Sequence, residues 1–408
     1  MAAHVFIDGI ELIPPVGSGT SAVGGSSTHR LNRPYEATIR VPNHLSTGGV
    51  GSQLKIVFDE TGLHHHGRVM MCETNPETDT GYTVYNSMSP MEIWRWRPCR
   101  DYDGPTPGNL IDPSFLTRMI TGPQIIEQVM LASENPAGIP GTAEGPLFQA
   151  YGAFETGGVD LSGAPCTWPM SMMDLASLLT STGELDIVET PIDSGGNMSQ
   201  VDCYNGDYGT DLSGSVIFEY GMGSRNVTNL RWVEDLSNTS NKIQYFFGPK
   251  ETVTRYKGNI TGDDPCLETQ FGVAAVAAMD ARRTASRAAY GVRFEFQERE
   301  LAEFRRETIV EGSGLCDDID PFQMLERGLW FSESWIRAIP RTLIHVQPMR
   351  DVGIGDFDIG DLVRVRCTPA VRGGFDGAQR VYEYTISWDT DGVLGLSELQ
   401  TSSDQEGV

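Results

Sequence analysis

The chain has 408 residues, with 30 Lys plus Arg against 55 Asp plus Glu and a formal net charge of -25. That length suits about two to four domains rather than one core. The acidity argues against non-specific grip on nucleic acid, which needs a basic surface, and no apolar run approaches the ~20 residues of a membrane-spanning helix. Seven Trp, 16 Phe and 13 Tyr supply too many core-forming side chains for an acidic disordered tail.

The first residues, Met1 to Asp8, lack the basic and apolar regions of a signal peptide. Val5 to Ile13 reads as a strand interrupted by a turn at Asp8-Gly9, and Gly17 to Ser27, rich in Gly, Ser and Thr, as a flexible loop. Tyr35 to Val41 alternates apolar and polar residues, the pattern of a half-buried strand. Gln53 to Phe58 and Leu63 to Met71 form a hairpin about Asp59-Glu60-Thr61-Gly62. Gly81 to Asn86 is a further strand, and Trp94-Arg95-Trp96-Arg97 continues in extended form with both Trp inward and both Arg outward.

The Pro/Gly cluster Asp103 to Gly108 marks a boundary. Helices follow: one opening at Asp112-Pro113 with Leu116, Met119 and Ile120 on its face, one carrying Ile125, Ile126, Val129 and Met130, and one capped by Thr167, with Pro169 in its first turn, Met172, Met173, Leu175, Leu178 and Leu179 on it and a stop at Gly183. Residues 135–165 read as a long loop. Strands are expected at Glu184 to Glu189, Ser215 to Tyr220, Asn226 to Glu234 and Lys242 to Phe247, the last two joined by a turn over Asp235 to Asn241. A long Ala-rich helix is expected over 265–289, a short strand at Phe294 to Phe296, and charged helices over 298–307 and 321–337. Strands return at Arg341 to Val346, Asp361 to Cys367, Gln379 to Ser387 and Val393 to Leu399, with a turn at Asp389 to Gly392; Ser402 to Val408 reads as a frayed tail.

Few residues suggest chemistry. His64-His65-His66 is eye-catching, but neighbours on a strand point to opposite faces and cannot share one metal, so a solvated hairpin strand is the reading. Asp356, Asp358 and Asp361 lack the glycine and glutamate positions of a calcium loop and read as a turn. No nucleophile elbow, zinc-protease helix or phosphate loop is present. Arg282, Arg283 and Arg287 fit a solvated or interface helix. The seven cysteines, Cys72, Cys99, Cys166, Cys203, Cys266, Cys316 and Cys367, are too widely spaced for a zinc ribbon and too sparse for a disulfide scaffold, so isolated buried thiols are expected. No catalytic, cofactor-binding or metal-binding residue is assigned.

The order of segments carries more than any single motif. Arg33 to Pro42 (RPYEATIRVP), Leu54 to Phe58 and Gly67-Arg68-Val69; Val216 to Gly221, Val227 to Arg231 and Phe246-Phe247-Gly248; Ala281 to Arg287 with Tyr290-Gly291; and Asp356 to Val365 (DFDIGDLVRV), Arg380 to Glu383 and Asp391-Gly392-Val393 together resemble the baseplate-hub, or minor tail protein, family of long-tailed siphovirus bacteriophages. The resemblance implies an α+β, mainly β fold with two β-barrel hub domains flanking a mixed α/β middle: a ring domain over 1–105, a helical, Gly/Pro-rich insertion over 106–190, a middle domain over 191–339, a second ring domain over 340–401 and a tail over 402–408. It implies a non-enzymatic virion protein of the tail tip, assembled in the host cytoplasm and taking no cofactor. Its partners would be two further copies in a homotrimer, the distal tail and tail-tube proteins, other tip and fibre proteins, and genomic DNA in passage. A carbohydrate- or receptor-binding module and a cell-wall hydrolase are the alternatives.

Overall fold

The computed structural model describes residues 3–12, 23–59, 61–76, 81–99, 121–134, 146–156, 171–180, 185–206, 208–221, 225–237, 239–247, 258–260, 266–299, 327, 330–331, 333–335, 337–338, 340–349, 353–368, 374–389 and 394–402. Strand alternation organises the first of these. β1 (Ala3–Ile7) turns through Asp8 and Gly9, at φ 49° and 78°, into β2 (Ile10–Glu11). β3 (Gly24–Arg30), β4 (Glu36–Pro42), β5 (Gln53–Phe58), β6 (Gly62–Thr74) and β7 (Tyr82–Met88) follow. In β4 the apolar Ala37, Ile39 and Val41 are buried and the intervening Thr38 and Arg40 exposed, as alternation predicts.

β3 corrects the loop expected over Gly17 to Ser27, because Gly24 to Ser27 lie in a ladder instead. The small side chains are there for space. A Cβ built on Gly25 would stand 2.5 Å from the Thr38 carbonyl oxygen and 2.7 Å from Cζ2 of Trp388. Gly25→Val is therefore expected to destabilise the chain by roughly 1–3 kcal/mol, the usual range for overpacking. A lowered urea midpoint would show it; an unchanged midpoint would mean that Trp388 yields without cost.

After β7 the chain tightens into a 3-10 turn, Pro90–Arg95, rather than continuing extended. The period becomes three. Trp94 and Arg97 are buried, while Arg95 and Trp96 are exposed, Trp96 by 61%. The expected two-in, two-out arrangement is corrected accordingly. α1 (Gly122–Glu134) buries Ile125, Ile126, Val129 and Met130. Asp112, Pro113, Leu116, Met119 and Ile120 lie outside the described residues, as do Thr167, Pro169 and Gly183. The supposed loop over 135–165 contains β8 (Gln149–Phe154). α2 (Met172–Thr180) is capped by Ser171, whose hydroxyl accepts the Asp174 N–H (3.1 Å) while the Asp174 carboxylate accepts the Ser171 N–H (3.2 Å).

β9 (Asp186–Ser194) and β10 (Asn197–Tyr204) form a hairpin, and β8 adds to β10 in parallel. β11 (Ile217–Tyr220), β12 (Val227–Asp235), β13 (Lys242–Phe247) and β14 (Gly258–Ile260) follow. The expected long helix is split into α3 (Leu267–Phe271) and α4 (Val273–Tyr290) by Gly272, whose φ of 84° suits glycine alone. β15 (Phe294–Arg299) takes in Glu298, where a helix was expected. β16 (Arg341–Pro348), β17 (Leu362–Cys367), β18 (Phe375–Trp388) and β19 (Leu394–Ser402) complete the chain.

The fold is mainly β. One 13-stranded sheet runs β12-β16-β19-β18-β3-β4-β7-β6-β5-β1-β2, with β17 on β18 and β11 on β17. Two three-stranded sheets, β8-β10-β9 and β14-β13-β15, lie apart from it. No ladder among the described residues joins β12 to β2, so a closed barrel is not seen. β12 and β13 are not a hairpin: β12 pairs with β16 in the large sheet and β13 with β14 and β15 in a small one. β11 and β12 thus share a sheet with strands beyond residue 340. One buried core fills the large sheet and another gathers Trp94, α1, α2, β9, β10, α4 and Trp330. Cys72, Cys99, Cys203 and Cys367 are free thiols, but Cys266 is disulfide-bonded, which corrects the expectation of isolated thiols there. Among the described residues no helix is long and apolar enough to cross a membrane.

Candidate functional site: the seam of the large sheet

β3 and β18 join two blocks of sequence that lie more than 300 residues apart, in register from Arg30 opposite Glu383 to Gly25 opposite Trp388. Polar side chains reinforce the ladder. Arg30 donates to Glu383 and Glu36, each at 2.7 Å, and the hydroxyls of Thr28 and Thr385 meet at 2.9 Å.

Behind this seam the histidines of β6 are buried rather than solvated, which corrects the sequence reading. His64, His65 and His66 are 7%, 0% and 5% exposed, and His29 of β3 joins them at 8%. His29 is stacked between Tyr35 and Tyr384, with ring centroids 5.3 Å away on both sides, and its Nε2–H donates to the His64 carbonyl (2.8 Å). The His64 ring meets that of His29 edge-on at 4.3 Å, and its Nδ1 lies 3.2 Å from the Ser27 hydroxyl. His65 Nε2 pairs with the Ser87 hydroxyl at 2.8 Å, and His66 Nδ1–H donates to the Ile192 carbonyl at 2.7 Å. Burial holds His29, His64 and His65 below the ordinary histidine range, so they are neutral at pH 7. The three neighbours thus take separate partners. Among the described residues no three His, Cys, Asp or Glu side chains are placed to hold a metal ion.

Two charged groups that sequence reasoning missed tie the seam to its surroundings. Arg380 of β18 is 7% exposed and donates to the Asp186 carboxylate (2.5 Å), to the carbonyls of Tyr208 (2.6 Å), Gly360 (3.2 Å) and Gly206 (3.3 Å). Glu189 of β9 is buried and accepts from the Ser199 hydroxyl (2.6 Å), the Met91 N–H (2.9 Å), the Gln149 amide (3.0 Å) and the Ser89 hydroxyl. Loss of solvent outweighs these four donors and pushes its carboxyl up to about 7. The signal was present in Leu185-Asp186-Ile187-Val188-Glu189, where acids interrupt an apolar strand.

A cleft of about 630 Å³ opens beside the seam, between His29, His64 and Tyr384 on one side and Gly353 to Ile359 on the other. The Asp-rich segment forms a turn, as read from sequence. Asp361 accepts the N–H of Thr210 (2.7 Å) and of Asp358 (2.8 Å), and Asp358 accepts that of Ile359 (2.7 Å). Elsewhere Arg283 is packed rather than solvated: it is 5% exposed, its guanidinium lies 5.1 Å over the Trp330 ring, and its Nε–H donates to the Asn241 carbonyl. Arg282 sits 4.6 Å over Trp335. These arginines are therefore part of the second core's edge. The geometry is that of a cross-linked scaffold: buried charges satisfied by backbone, joining segments distant in sequence.

Comparison with known proteins agrees with that character. No family profile and no curated protein matches the sequence. Solved structures do match. The 43 kDa tail protein of prophage MuSo2 from Shewanella oneidensis superposes with a TM-score of 0.54 at 12% identity, covering 99% of this chain and 98% of that one. Prophage tail protein gp18 from Listeria monocytogenes EGD-e gives 0.51 at 11% identity, covering 100% and 96%. The tail protein from Neisseria meningitidis MC58 gives 0.51 at 9% identity, covering 100% and 97%. Along its whole length, this chain has the fold of prophage tail proteins.

Proposed function

We propose that the chain is a structural protein of a phage tail, the baseplate hub at the tail tip of a siphovirus. The observation that carries this reading is the end-to-end match in fold to prophage tail proteins of nearly the same length. In this reading residues 1–105, and residues 340–401 together with β11 and β12, are two barrel-like ring domains held together by the β3–β18 ladder, and the rest of residues 106–339 hangs outside the ring. Three copies would present six such domains to a sixfold tail tube and narrow it to a threefold tip. Closed rotational assemblies of this kind are built from repeated heterologous contacts. The role is mechanical, with no reaction and no cofactor, and its partners are the tube and the neighbouring tip proteins.

The charge of -25 supports the same reading. DNA leaving through a tip must slide, and basic walls would capture phosphates by releasing counterions, whereas acidic walls repel them. Mass measurement of the purified chain tests the assembly: about three times 44.7 kDa is expected. A reconstruction of the intact tail tests the rest. Six ring domains around a bore are expected at the tip, and a single copy there, or a bore lined mainly by arginine, would overturn the reading.

A further inference from the structure

Helix α4 ends at Tyr290, the chain turns through Gly291 at φ 76°, and Val292 and Phe294 follow as it enters β15; Tyr290, Val292 and Phe294 line one cleft together. All three are exposed, by 43%, 68% and 40%. They form one wall of an open cleft of about 640 Å³, within the ~300–1,000 Å³ typical of ligand sites.

The other wall is polar. Ser237, Thr239 and Ser240 line it, and Glu295 and Arg337 stand beside them. Glu295 is held in place: its carboxylate oxygens both accept from Arg337 Nη1 at 2.8 Å, and one also accepts from the Ser240 hydroxyl at 2.6 Å. Arg293 Nε–H fixes the wall by donating to the Thr239 carbonyl at 3.1 Å. Lys242 lies 5.2 Å over the Phe294 ring and orients it. Thr239 is 4% exposed, yet its hydroxyl has no hydrogen-bond partner. A buried hydroxyl without a partner costs free energy that a bound hydroxyl would recover.

We propose that this cleft binds a neutral saccharide, a bacterial surface glycan. A sugar ring has an apolar C–H face, which suits the exposed rings, and an edge of hydroxyls that both donate and accept. Thr239 offers both capacities, and a pre-ordered carboxylate beside a guanidinium offers the complementary ones. The pairing of Arg337 with Glu295, and with Glu333 at 3.8 Å, leaves no unpaired charge of that cluster facing the hydroxyls, which suits an uncharged ligand. Flat protein partners want a contiguous apolar patch; here the aromatic wall is narrow and faces hydroxyls.

The test uses the fluorescently labelled full chain on an array of neutral and acidic bacterial polysaccharides. Binding to neutral glycans is expected. Tyr290→Ala and Phe294→Ala should each weaken it roughly tenfold, the loss of an aromatic anchor, and Thr239→Val should weaken it while leaving the circular-dichroism spectrum unchanged and the melting temperature no lower. Trp96→Ala removes an exposed aromatic elsewhere and should leave binding intact. Absence of binding to every neutral glycan, preference for acidic ones, or binding that survives both aromatic substitutions would overturn the proposal. None of these outcomes bears on the mass or symmetry of the assembly, so the site and the hub reading stand or fall separately.

Discussion

Arg380→Ala is expected to lower the stability of the chain by about 3–5 kcal/mol, the usual cost of removing one partner of a buried ion pair. The size follows from what is left behind. Asp186 is 1% exposed and would retain only the Tyr208 N–H at 3.1 Å and a long contact to Asn32 at 3.5 Å. Three carbonyls, of Gly206, Tyr208 and Gly360, would lose their donor in the same step. An uncompensated carboxylate is the larger part of the penalty, so Arg380→Met combined with Asp186→Asn should recover part of it. The neutral amide keeps an oxygen for Tyr208, and a coupling of about 1–3 kcal/mol is expected between the two sites. Urea midpoints followed by tryptophan fluorescence give both numbers. An Arg380→Ala shift within the ~0.5 kcal/mol of an ordinary surface change would show that the guanidinium does not hold the seam.

Alternation made the strands legible where one face is buried and the other wet. β4 and β5 are placed within a residue by their period and β6 within three, and the buried face of α1 and most of that of α2 follow from apolar spacing. The failures have physical causes. Gly24 to Ser27 have loop composition because a central strand there must pass under the Trp388 ring. Trp94 to Arg97 have strand-like alternation, but Pro90 starts a tight turn, and the period changes from two to three. β10 has little alternation because it meets both α1 and β6 of the large sheet, which leaves neither of its faces wet. The hairpins β5–β6 and β18–β19 were legible from their turns, but the long-range pairings were not: nothing local says that β12 joins β16 or that β3 joins β18. For the same reason Arg380 and Asp186, 194 positions apart, could not be matched in advance. The histidine run was read wrongly as solvated. Strand period gives facing directions, but only the neighbouring strands decide whether both faces are covered.

That burial makes the chain acid-labile at the seam. The carboxylate of Asp358 favours a charged His29, but desolvation dominates there, and the neighbouring rings reinforce it at His64 and His65. All three are held below 6.5 in the fold, so the unfolded chain binds more protons below that pH. Their stabilisation is complete above about pH 6.5 and is lost as the pH falls, by up to about 1.4 kcal/mol per histidine per pH unit. Glu189 works in the opposite direction. Its carboxyl is raised from 4.5 to about 7, so between these values the fold binds the extra proton and gains up to about 1.4 kcal/mol per unit as the pH falls. Three groups against one leave a net loss of up to about 3 kcal/mol per pH unit between pH 6.5 and 5. Urea midpoints at pH 7, 6 and 5 should fall accordingly. His65→Gln, which keeps a partner for Ser87, should flatten the net slope by about half. Glu189→Gln should steepen it, since its amide can accept from Met91, Gln149 and Ser199 and donate to a turned Ser89 hydroxyl without titrating. Midpoints that do not change between pH 7 and 5 would mean that the histidines gain solvent before the fold opens. A Glu189→Gln slope equal to that of the parent would mean that the four donors keep the carboxylate charged throughout this range.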